Sequence, residues 1–203
     1  SALTYFDEAI ETDPTHVRAR LNRTSIHMAN ENAQAALDDA NVLLELAPGL
    51  ALAKLRRAEA NMMLSNWEEA KNDLELIVED APHHHHALTQ LASCFMAMDR
   101  PEKAEAPLNE ALRLAPEHTE AWHQRGLLYL DWAREEAALN DFEAAVRCDG
   151  SHLGARLHIA AIHHESGRFT EALAAWGGVL AIEPDHAVAR RRREECEMAI
   201  ATI

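Results

Sequence analysis

The sequence has few of the residues that interrupt helices. It holds seven glycines and seven prolines among 203 residues, and aromatic side chains make up only 5% against 48% apolar. A chain so poor in helix breakers and so reliant on alanine reads as all-helical. Cysteine is scarce too. Cys94, Cys148 and Cys196 share no metal or redox spacing. Three scattered thiols fit a reducing compartment better than a disulfide framework. Positive charge is in deficit, with a formal net charge of -15. That argues against nucleic acid or an anionic membrane surface as the partner, because phosphate contacts need clustered Lys and Arg. No apolar run reaches the roughly 18 residues of a membrane-spanning helix. No signal peptide is visible, which points to the cytoplasm, although a chain opening on Ser1 rather than Met leaves room for an upstream segment.

What the sequence does have is a beat. Pro14, Pro48, Pro82, Pro116 and Pro184 fall 34 residues apart with one beat skipped, and Gly150 fills it. Counting three residues past each breaker starts the units at Val17, Ala51, His85, Thr119, Leu153 and Ala187. This divides the chain into a half unit (1–16), five units (17–50, 51–84, 85–118, 119–152, 153–186) and a last segment (187–203). The third position is always alanine: Ala19, Ala53, Ala87, Ala121, Ala155 and Ala189. So is the twentieth, from Ala2 and Ala36 to Ala138 and Ala172. Small residues in phase predict the points where paired helices approach closely. Each unit reads as a helix A over its first 14 positions and a helix B from about the eighteenth to the breaker. Between them lies a turn that is polar at Asn32, Asn66, Arg100, Arg134 and Arg168.

These residues resemble the tetratricopeptide repeat family over the whole chain. The fullest match is the unit 119–152, where Trp122, Gly126, Tyr129, Ala138, Phe142 and Ala145 stand at the family's Trp, Gly, Tyr, Ala, Phe and Ala. The unit 17–50 departs most, with Arg20, Thr24 and His27 replacing Trp, Gly and Tyr, though Ala36, Leu43 and Pro48 hold its register. The resemblance implies an all-α fold, a right-handed superhelical solenoid of antiparallel helix pairs with the A helices lining the concave face. The two ends differ. Ala2, Phe6, Ala9 and Pro14 match a helix B without its helix A, which predicts an exposed apolar face there. In 187–203 the seventh, eighth and eleventh positions are Arg193, Glu194 and Glu197, polar where other units face helix B. That reads as a capping helix that meets water.

Chemical motifs are few. No nucleophile motif, phosphate loop or HExxH helix occurs, so neither an enzyme nor a cofactor is expected. Cys94 and Cys196 read as small core residues. Of thirteen histidines, His16, His84, His118, His152 and His186 close successive units. Units roughly 10 Å apart cannot share one ion whose ligands sit about 2 Å away. The run His83–His86 could capture a metal adventitiously but lacks the spacing of a built site, so no functional metal is expected. His163 and His164 with Asp131 and Glu165 read as a solvated polar cluster.

The family resemblance further implies a non-catalytic scaffold for protein–protein interaction, with the second, fifth, sixth, ninth and twelfth positions of helix A facing a bound peptide. The sixth gives Asn22, Arg56, Gln90, Gln124 and His158, all able to hydrogen-bond a peptide backbone. The fifth gives Leu21, Leu55, Thr89, His123 and Leu157. Arg18 stands at the second position, Ser25, Glu59 and Ser93 at the ninth, and Met28 and Met62 at the twelfth. The A helices are net positive and the B helices acidic, with Arg18, Arg20, Arg23, Lys54, Arg56 and Arg57 concentrated early. That sorting suggests an acidic or carboxylate-bearing ligand drawn to the inner face. Asn22 and Arg56 match two positions of the family's carboxylate clamp, whereas Leu52 replaces its lysine. The rival readings are a homo-oligomer formed through the N-terminal helix, and a regulatory arm of a larger multidomain protein.

Overall fold

A computed structural model describes residues 2–202, and among them it is helical throughout, with no strand. The helices are α1 (Ala2–Thr12), α2 (Val17–Ala29), α3 (Ala33–Leu46), α4 (Ala51–Met63), α5 (Trp67–Asp80) and α6 (His85–Ala97). After a 3₁₀ turn at Pro101–Lys103 come α7 (Glu105–Leu114), α8 (Thr119–Asp131), α9 (Glu135–Cys148), α10 (Leu153–Glu165), α11 (Phe169–Ile182) and α12 (Ala187–Ala201). The chain divides into two compact units, Ser1–Pro107 and Leu108–Ile203. In the first, each helix from α1 to α6 packs against the next. In the second, each helix from α8 to α12 does the same.

The five A helices from α2 to α10 end one residue earlier than the sequence pattern suggests, and four of the B helices start one earlier, at Ala33, Trp67, Glu135 and Phe169. The reason lies in the turn. The fifteenth position of every repeat has a positive φ: Glu31, Ser65, Asp99, Ala133 and Gly167, between 54° and 70°. One left-handed residue ends helix A and reverses the chain. Only the last of the five is glycine, so the sequence hides a feature that the backbone repeats five times. The B helix of 85–118 is the exception: Pro101 and Pro107 remove two backbone donors, and a 3₁₀ turn precedes an α-helix delayed to Glu105.

The histidines that close the repeats have a structural task. His16, His84, His152 and His186 each accept, through Nδ1, the backbone N–H three residues into the following A helix, at 3.0–3.3 Å. They are N-caps that satisfy one of the orphan donors of a helix start. His118 makes no such cap.

The fourth position explains why the repeat 17–50 tolerates losing its tryptophan. Trp122 Nε1 donates to the carbonyl of Pro116 at 2.7 Å. Arg20, Arg156 and Arg190 donate in the same way to Pro14, Gly150 and Pro184. In these four repeats a long side chain with an N–H reaches the breaker's carbonyl, and arginine does so in place of tryptophan; Lys54 and Leu88 make no such bond.

The core follows the alanine pattern. Every third-position alanine from Ala19 to Ala189 is buried, as are the twentieth-position alanines from Ala36 to Ala172; Ala2 is exposed. The eighth position is equally tight. A Cβ on Gly126 would meet the Phe142 ring at 2.6 Å, so glycine there makes room for the largest fully buried side chain. Polar seventh positions do not by themselves mark a terminal helix. Arg57 forms two bonds of 2.7 Å to Asp73, which is buried. Arg23 and Arg125 grip Asp39 and Asp141 likewise from the same position. Where the seventh position is apolar, at Leu91 and Ile159, the twenty-third is Pro107 and Ala175. In α12, Arg193 and Glu197 pair with each other and both are exposed.

Candidate binding face of the A helices

The left-handed turn that ends each full A helix, with a histidine cap at the start of α2, α6 and α10, sets which side chains reach its free face. In the first compact unit, Arg18 and Asn22 from α2 meet Tyr5, Phe6 and Ala9 from α1 around a hollow of about 360 Å³. Asn22 and Arg18 are exposed, and Leu21, Ser25 and Met28 are half-buried. Further along, Glu59 of α4 organises the face. Its carboxylate accepts from Arg56 Nη1 at 2.7 Å and from Gln90 Nε2 of α6 at 3.2 Å, with His86 Nε2 at 3.7 Å. Burial pushes the Glu59 carboxyl up, but the bonds from His86, Arg56 and Gln90 outweigh it and hold its pKa below the usual value. Gln90 Oε1 and Arg56 Nε are buried without a partner.

Several side chains assigned to the face behave differently. Thr89 is buried at 2% exposure, and its hydroxyl donates to the His85 carbonyl, so it is unavailable to a ligand. Ser25 and Ser93 donate to the carbonyls of Leu21 and Thr89, four residues back on their own helices. Leu157 packs on the cluster around Trp176 and Ala160. Leu55, Met62 and Gln124 are half-buried, and Gln124 donates to Glu120 at 2.7 Å.

The early positive charge is largely spent inside the protein. Arg20 and Arg23 bind Asp39, and Arg23 also binds Asp7. Lys54 pairs with Asp80, Arg56 with Glu59 and Arg57 with Asp73. Among the described residues, Arg18 alone of the six has no acidic partner. A net charge tallied helix by helix cannot register pairs made between a helix A and a helix B.

In the second compact unit His123 and His158 flank Phe142. His158 stacks on the ring with centroids 4.8 Å apart, and His123 lies 5.7 Å from it. Burial pushes His123 down to about 4 and lowers His158 as well, so both are neutral at neutral pH. The polar cluster expected around His163 and His164 forms with other partners. His164 sits 3.3 Å from both Cys196 Sγ and Arg192 Nη1, and 3.5 Å from Glu195, all on α12. Cys–His–Glu order invites a catalytic reading, but Cys196 is fully buried and burial raises its pKa. Cys94 is likewise buried and raised to about 11. Both are poor thiolates and therefore poor nucleophiles.

One surface gave no sign in the repeat pattern. A cleft of about 530 Å³ between α3, α4 and α5 is lined by Asn41, Asn61, Asn66 and Asn72 beside the Arg57–Asp73 pair. These asparagines occupy four different repeat positions, and of them only Asn66 belongs to a periodic row, the polar turn.

The fold and the face together define a class, helical-repeat proteins made of antiparallel A/B pairs. Models of the tetratricopeptide repeat match residues 1–51, 61–126 and 119–152. The chain belongs to the tetratricopeptide repeat family. No curated protein matches the sequence. Among solved structures it is similar to TTC0263, a thermophilic TPR protein of Thermus thermophilus, with a TM-score of 0.73 at 21% identity, covering 90% of this chain and 99% of that one. It is similar also to YrrB, described as a TPR protein with an unusual peptide-binding site, with a TM-score of 0.64 at 22% identity over 93% and 97% of the two chains. The anaphase-promoting complex assembly Cut9–Hcn1 aligns with a TM-score of 0.82 at 17% identity, covering 96% of this chain but 39% of that one. At these identities the likeness is one of fold.

Proposed function

We propose that the chain is a non-catalytic scaffold that binds an extended segment of a partner protein along the A-helix face of its first compact unit. The observation that carries this is the exposed polar pair Arg18 and Asn22 on α2 beside half-buried apolar side chains on α2 and α4. Asn22 and Arg18 offer hydrogen bonds to a peptide backbone or side chain, and Leu21, Leu55, Met28 and Met62 offer apolar surface beside them. Peptide binding by the similarly folded YrrB is consistent with this use of the fold. An acidic ligand would be received by Arg18, and by Arg56 only in competition with Glu59.

Fluorescence anisotropy with labelled acidic and neutral peptides tests both points. For a peptide that binds, Asn22→Ala and Leu55→Ala should each weaken affinity by about 1–2 kcal/mol, the range for losing an interface hydrogen bond or apolar anchor. Glu59→Gln frees Arg56 and should strengthen acidic peptides only. Unchanged affinity in both alanine variants would reject the face, and an indifferent Glu59→Gln would reject the acidic preference.

A second reading, self-association through α1, rests on Tyr5, which is 69% exposed and packs edge-on against Phe6. Light scattering of the wild type and Tyr5→Ser decides it: a monomer at all concentrations removes this reading.

A further inference from the structure

We propose that Glu120, His123 and His152 form a binding site for a zinc-class divalent cation on the second compact unit, a site beyond the peptide face and independent of it. Each of the three residues offers a ligating atom, and these atoms lie within 4.8 Å of one another. Zinc bonds of about 2.0–2.2 Å place neighbouring ligand atoms of a tetrahedral site roughly 3.4 Å apart. Side-chain rotation can close the difference. Glu120 is exposed on the first turn of α8, where its side chain has room to turn, and Gln124 already holds one carboxylate oxygen.

The cluster is not a by-product of the histidine ladder. Glu120 and His123 stand three residues apart on one face of α8, and the ladder contributes a single ligand, His152, from the start of α10. The same three positions are Leu52, Leu55 and His84 in the repeat 51–84, His86, Thr89 and His118 in 85–118, and Gly154, Leu157 and His186 in 153–186. Only the repeat 119–152 has ligating side chains at all three. The argument that ladder histidines are too far apart to share an ion therefore does not apply, because His152 meets the preceding helix rather than another rung.

Two further features favour a bound cation. His123 Nε2 is buried with no hydrogen-bond partner. Gly154 keeps the space beside it open, since a Cβ there would lie 3.2 Å from that nitrogen. Two imidazoles and one carboxylate suit zinc and its neighbours rather than calcium or magnesium, and three protein ligands leave a fourth position for water.

Binding has a structural signature. His152 Nδ1 accepts the Ala155 N–H at 3.0 Å, so the neutral ring carries its proton on Nε2, 3.8 Å from Glu120. A cation on Nε2 displaces that proton, and the ring takes one up on Nδ1. Nδ1 can then no longer accept from Ala155, and the cap of α10 opens.

Calorimetric titration of chelator-stripped protein with zinc chloride tests the site, and amide exchange at Ala155 follows the cap. The expected result is one saturable site. Glu120→Gln and His123→Gln each weaken it by about tenfold or more, a His83→Asn/His86→Asn variant leaves it unchanged, and zinc speeds exchange at Ala155. Glu120→Gln alters an exposed side chain, and circular dichroism checks that it folds. The proposal is overturned by the absence of saturable binding, by affinities within twofold of wild type in both single variants, or by loss confined to the His83/His86 variant, which would show adventitious capture by that run.

Discussion

Ala133 holds a backbone conformation that Gly167 holds at no steric cost. At φ 54° its Cβ crowds the neighbouring carbonyl, a penalty of roughly 1–2 kcal/mol for a side chain in the left-handed region. Ala133→Gly should therefore stabilise the protein by about 1 kcal/mol, less the entropy glycine loses on folding, read as a higher urea midpoint at unchanged slope. The opposite substitution at Gly126 should be harmful. Gly126→Ala drives a methyl into the Phe142 ring and should cost about 1–3 kcal/mol. Glu59 supplies a pH test. Its folded pKa lies below the ordinary carboxyl value of 4.5, so its contribution is complete above that value and is lost as pH falls through the folded pKa. The stability gap between wild type and Glu59→Gln should accordingly narrow below pH 4.5 in urea unfolding.

At the scale of helices, the seventh and twenty-third positions act as one unit of specification. Arg57→Ile alone strands the buried Asp73 and should destabilise by about 3 kcal/mol. Arg57→Ile/Asp73→Ala copies the Ile159 and Ala175 already present in the protein. It should recover to within about 1 kcal/mol of wild type, because an apolar replacement of a buried ion pair is often neutral. Chemical denaturation of the three proteins measures the coupling. The helix pairs themselves were legible in the sequence, since the spacing of helix breakers and two alanine columns are local signals repeated six times. The Arg–Asp pairs were not, because the partners lie 16 residues apart on different helices and only three of the five repeats carry them. The left-handed turn leaves no mark in the sequence for a related reason: its five residues share a conformation and no chemistry.

For the molecule as a whole, charge counted by helix suggested a basic inner face on an acidic protein, and pairing removes most of that contrast. The polar sixth position of Asn22 and Gln90 was legible from the repeat; the burial of Thr89 was not, because it depends on packing that no position rule carries. The metal cluster was hidden because its ligands join the start of one repeat to its far end, where the next begins. With Arg18 the one unpaired early cation among the described residues, binding at the A-helix face should weaken by no more than about tenfold between roughly 50 and 500 mM salt, as expected when few exposed charges take part. The most direct test of the binding face is a map of amide shift changes on adding a peptide that binds. Perturbations concentrated on α2 and α4, around Asn22 and Leu55, are predicted; perturbations confined to the asparagine-lined cleft of α3 and α5 would contradict the account.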